Sequence, residues 1–118
     1  MTDAPDRPHA ARLFPGGGGQ DDTDAARRWA RNVLRTWGRA DTAPVVDALI
    51  TAARGRRPWW LALRHHGDAV HAQVLRARAA RTPELPARVP GAERLSWTYG
   101  TARTPDSLCL WADVSAPG

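Results

Sequence analysis

The side chains able to do chemistry in this sequence are few. His65 and His66 precede a Gly67-Asp68 pair, His71 follows it, Arg64 stands beside them, and Cys109 is the only cysteine of the 118 residues. Alternation from Trp59 to Leu75 reads as a hairpin with Gly67-Asp68 as its loop, so His66 and His71 share one face diagonally, with Arg64 opposite His71. That separation is long for shared metal coordination, and no carboxylate or thiol is expected to converge there, so no metal site is assigned. His65 points the other way, toward the core. Cys109 sits in the apolar run Ser107-Leu108-Cys109-Leu110-Trp111 and reads as a small buried hydrophobe rather than a nucleophile. No Ser/His/Asp or Cys/His arrangement can be assembled, and no catalytic residue is assigned.

The arginines are more informative. Residues 54–81 hold seven arginines against Asp68 alone, interleaved with Trp59 and Trp60. That is the composition of a surface for nucleic acid or an acidic partner. Arg54, Arg56, Arg57, Trp60, Arg64 and His66 are the candidate contact residues, because an aromatic on the polar side of a strand marks a partner contact. All 17 basic residues of the chain are arginine. Such a bias comes with GC-rich coding, as in actinobacteria, and makes arginine the default surface cation. The net charge of +5 divides unevenly: residues 1–22 carry −2 and residues 23–118 carry +7.

The elements that must position these groups follow from periodicity. Residues 1–8 read as a disordered leader, and residues 9–115 as one domain. His9 to Phe14 is a short strand, and Gly16 to Gly19 a flexible connector rather than a phosphate loop, since no Gly-Lys-Ser/Thr follows. A helix capped by Asp22 or Thr23 carries Ala26, Trp29, Ala30, Val33 and Trp37 inward, and Arg28, Arg31 and Arg35 outward, until Gly38. A second helix starts at Asp41 or Thr42, passes through Pro44 with Val46, Leu49, Ile50 and Ala53 on its apolar side, and ends at Gly55. In the hairpin, Trp59, Leu61, Leu63, His65, Val70, Ala72 and Val74 form the core face.

Residues 76–93 are basic, proline-rich and aperiodic, which suits a lid, a binding loop or a mobile stretch. Leu95 to Tyr99 and Leu108 to Ala112 are two more strands joined by a turn around Thr104-Pro105-Asp106. Strand, two helices, then four strands predict an α+β two-layer sandwich, with the helices on one face of a mostly antiparallel sheet. A single cysteine excludes a disulfide scaffold. The absence of an apolar span or secretory signal sets the expectation of a cytoplasmic protein with no membrane partner.

The words and their order resemble a family. Ala11-Arg12-Leu13-Phe14-Pro15, the stretch Asp24 to Gly38, and Val45 to Ala53 are similar to the opening of actinobacterial anti-sigma-factor serine kinase-like proteins of the histidine-kinase-like (GHKL) ATPase superfamily. The resemblance continues through the Trp59 to Leu75 hairpin and covers most of residues 11–76. It implies the histidine-kinase-like ATPase fold, here with a shortened lid region. It also implies a site without its working residues. The family's general-base glutamate and magnesium-holding asparagine fall on Ala48 and Ala52, and its adenine-binding aspartate falls on Arg76. Asp47 neighbours Ala48 and points about 100° away. Where the family has its glycine-rich lid, only Arg78 to Glu93 remains, with Gly91 its sole glycine.

The resemblance therefore implies a degenerate member that binds another protein and needs no cofactor. A sigma factor, an anti-sigma antagonist, a related kinase-like subunit or a second copy is the expected partner. Two alternatives stand beside it. One is an active Mg-ATP-dependent serine kinase with an atypical site and Arg76 and Arg78 on the phosphates; the other is a basic nucleic-acid-binding domain.

Overall fold

A computed structural model describes residues 9–15, 20–53, 58–77 and 84–115. The leader at residues 1–8, the glycine connector at 16–19, Gly55 and Arg78 lie outside the described residues, as do the partner candidates Arg54, Arg56 and Arg57. The chain runs β1 (His9–Phe14), α1 (Gln20–Thr36), a 3-10 turn (Ala40–Thr42), α2 (Ala43–Ala53), β2 (Trp59–His66), β3 (Ala69–Ala77), β4 (Ser96–Arg103) and β5 (Ser107–Ser115). The strands form one antiparallel sheet in the order β1-β2-β3-β5-β4. The fold is α+β, as the order of periods predicts.

The hairpin register follows the sequence expectation. His66 pairs with Ala69 and Trp59 with Arg76. Gly67 adopts φ 62°, and among the described residues no non-glycine residue has positive φ, so the loop takes its left-handed step at its first central residue, as a type II′ turn does. Trp59, Leu61, Leu63, Val70, Ala72 and Val74 are buried, joined by Leu108, Leu110, Ala112 and Val114 of β5. The helices cover this side. Ala26, Ala30 and Leu34 of α1 and Val45, Val46, Leu49 and Ile50 of α2 enter the same core. Phe14 stacks on Trp59 at 4.7 Å and meets the edge of Trp29 at 6.3 Å, which ties β1 to α1.

Four local expectations are corrected. First, α1 begins at Gln20, so Asp22 and Thr23 lie inside it, and Thr23 is buried rather than capping. Second, Leu34 joins the expected Ala26 and Ala30 in the core, while Trp29, Val33 and Trp37 are half-buried and pack against it from the flank. Third, Asp41 and Thr42 belong to the 3-10 turn that leads into α2, and Thr42 is buried. Fourth, β4 and β5 extend to Arg103 and Ser115, since each strand prolongs the ladder of the other. Residues 84–93 are irregular, as expected, whereas Arg76 and Ala77 continue β3 and Leu95 lies just outside β4; Val89 and Ala92 plug into the core. Among the described residues, no helix is long and apolar enough to cross a membrane.

Candidate functional site

Strand alternation leaves the sheet a second face, opposite the helices. Its residues follow from register. One cross-strand row reads Leu13, Trp60, Leu75, Cys109 and Ala102; the next reads Ala11, Ala62, Gln73, Trp111 and Gly100; the third reads His9, Arg64, His71, Asp113 and Thr98. None of these residues is buried. Leu13, Trp60 and Leu75 are 47%, 46% and 42% exposed, and they are consecutive in one row. Isolated exposed apolar side chains are ordinary, but a contiguous row from the edge strand β1 to the central strand β3 is a patch.

Of the predicted contact residues, the structure brings Trp60, Arg64 and His66 together on this face, along one side of β2. It adds Leu13, Leu75, Cys109 and Trp111. Leu75 is expected there, since hairpin alternation puts it on the same face as Trp60; Leu13, Cys109 and Trp111 are missed because strand order cannot be read from the chain, although Leu13 alternates with the buried Phe14. Cys109 faces this open side, half-buried, and not the core as expected. Burial pushes its thiol pKa up, which lowers the thiolate fraction.

His71 also corrects the expectation that no carboxylate approaches the hairpin histidines. Its Nδ1 lies 2.6 Å from Asp113 Oδ1 on β5, and its Nε2 lies 3.2 Å from Gln73 Oε1. The ring also stacks on Trp111 at 6.3 Å. Alternation alone ends the last strand at Ala112, one residue short of Asp113, and so misses this partner. Among the described residues, no group of three or more metal-ligating side chains assembles. His65 points to the core side and stacks on Trp37 at 5.7 Å, as expected of a structural histidine.

On the helix side, Ala48 and Ala52 line an open groove of about 560 Å³ with Thr51 and residues 84–87. The volume would admit a small ligand. Its lining does not fit a magnesium triphosphate. The Thr51 hydroxyl accepts from Arg27 and donates to the Asp47 carbonyl at 3.0 Å, so it is already engaged. Asp47 pairs with Arg31 at 2.6 Å instead of facing the groove. Among the described residues, Glu84 supplies the one charged side chain of the lining, and its sign opposes phosphate. Arg76 lies at the end of β3 on the core face, opposite Trp59 and Leu108, and its Nε donates to the Ala77 carbonyl at 3.3 Å. Compared with protein-family models and with curated proteins, the sequence matches none.

Proposed function

We propose that this chain is a regulatory protein-binding domain that works without nucleotide chemistry, and that the open face of its sheet is the contact surface. The observation that carries this is the row Leu13, Trp60 and Leu75, exposed side by side, with Arg64 and His66 further along the same face of β2. Apolar anchors flanked by a polar rim are the anatomy of a protein interface. The likeness to anti-sigma-factor serine kinases suggests the class of partner: a sigma factor, its antagonist, or a related kinase-like subunit. The alanines at positions 48 and 52, with Glu84 lining the same groove, support the loss of the kinase reaction.

The face also disfavours nucleic acid as its occupant, since Arg64 and Asp113 balance each other and no stripe of cations tracks across its described residues. Two measurements test the proposal. Calorimetric titration with Mg-ATP is expected to give no binding heat; micromolar affinity would restore the kinase alternative. Co-purification from the native host is expected to retain a protein partner with the natural chain and lose it with Trp60→Ala. Equal recovery by both would overturn the assignment of the face.

A further inference from the structure

The open face has an arrangement that selects its occupant. In the sheet order, β3 is the middle strand, β2 and β5 flank it, and β1 and β4 lie outside. Consider two copies with their open faces together and a two-fold axis parallel to β3. The operation lays β2 of one copy over β5 of the other and keeps each cross-strand row opposite itself. Row by row, Trp60 then faces Cys109, Ala62 faces Trp111, and Arg64 faces Asp113, while Leu75 meets its own counterpart on the axis.

Between β2 and β5 large side chains meet small ones in both directions, which is what facing sheets need in order to interdigitate at about 10 Å, while Gln73 and His71, like Leu75, meet their own counterparts on the axis. Opposite charges also meet twice. The protein as a whole carries +5. Among the described residues of this face Arg64 and Asp113 balance, so two copies can bring these residues together without net repulsion between them. Strands about 4.8 Å apart and roughly 3.3 Å per residue give a sheet face on the order of 600 Å² before side-chain relief. That is near the roughly 800 Å² per partner of a standard specific interface.

We infer that the occupant of the open face is a second copy of this chain, in a two-fold sheet-on-sheet dimer about β3 that buries the apolar row and is set in register by Arg64–Asp113 pairs across the interface. This deepens the proposal that the face is a protein-contact surface and depends on it.

The test is sedimentation equilibrium of the full chain against a concentration series. The natural chain is expected to approach twice its 12.9 kDa mass. Arg64→Asp places two carboxylates in opposition, and Asp113→Arg two guanidinium groups, so each variant alone is expected to weaken the dimer by at least about tenfold. Mixed in equal amounts, the two variants form a heterodimer in which one copy supplies both carboxylates and the other both guanidinium groups. Each cross-interface pair again joins opposite charges, and dimer is expected to return to near the natural level. Leu75→Glu, on the axis, is expected to abolish it. Far-UV circular dichroism of each variant checks that the sheet is kept.

A natural chain that stays monomeric overturns the inference, as does a mixture that fails to regain the dimer. If the chain is monomeric while Trp60→Ala still loses a partner, self-association fails and the contact surface stands. If Leu75→Glu and Trp60→Ala leave both association and partner recovery unchanged, the face itself is wrong. Loss of single-stranded oligonucleotide binding on Trp60→Ala, in a monomeric chain, would assign the face to nucleic acid and overturn the dimer.

Discussion

At the residue scale, β4 holds two residues whose surroundings make definite demands. The Tyr99 hydroxyl is buried with no hydrogen-bond partner among the described residues, and burial pushes its pKa up to about 12. The folded-state value thus lies above the unfolded one, so the stability linked to this phenol is complete below the ordinary pKa of 10.0 and is lost as pH climbs toward 12. Tyr99→Phe removes an orphaned polar atom. It is expected to leave stability at pH 7 unchanged or raise it by about 1 kcal/mol, and to flatten the alkaline unfolding profile, measured by urea denaturation at increasing pH. Gly100 makes a different demand. A Cβ built there falls on the Trp111 indole, which lies across the strand. Gly100→Ala must displace that ring and is expected to cost about 1–3 kcal/mol. A double-mutant cycle checks the cause: in a Trp111→Ala background the same substitution should cost nothing.

At the element scale, the end of α1 shows how local chemistry fixes a boundary. Arg39 N–H bonds the Leu34 carbonyl at 2.8 Å and Gly38 N–H bonds Arg35 at 3.0 Å, with Gly38 at φ 72°, the two bonds of a Schellman cap. Nothing crowds a Cβ at Gly38, so Gly38→Ala isolates the backbone term. It is expected to cost about 1 kcal/mol and lower Tm by roughly 4 °C. The stop at Gly38 and the hairpin at Gly67 were legible because each depends on one residue's conformation. The start of α1 was not, because Thr23 looks like a cap in isolation and is claimed by the core instead. The site divides the same way. Trp60, Arg64 and His66 announce an outward strand face by alternation, whereas their neighbours Leu13 and Cys109 join it only through β1–β2 and β3–β5 pairing. The ladder is a long-range property, and the turn chemistry that would fix it locally is present only between β2 and β3 and between β4 and β5.

At the scale of the whole molecule, charge and apolar surface are segregated among the described residues, and the two should answer to different variables. Arg28, Arg31 and Arg35 project from α1 on the side away from the sheet, with Arg31 tied to Asp47, while the open sheet face is nearly neutral and apolar. A chain with net charge +5 attracts polyanions. That attraction is expected to reside on the α1 side, to fall steeply between about 50 and 200 mM salt through counterion release, and to be unaffected by Trp60→Ala. Association through the sheet face rests on buried apolar area with a few charge pairs. It is therefore expected to change little over the same salt range and to be lost with Trp60→Ala. Fluorescence anisotropy with a labelled oligonucleotide, run beside sedimentation of the same samples, separates the two. The segregation fails as an account of the molecule if one substitution removes both activities, or if salt weakens both to the same degree. Arg28→Ala combined with Arg35→Ala supplies the reciprocal check, because it should reduce oligonucleotide affinity and its salt slope while leaving the sedimenting mass as it was.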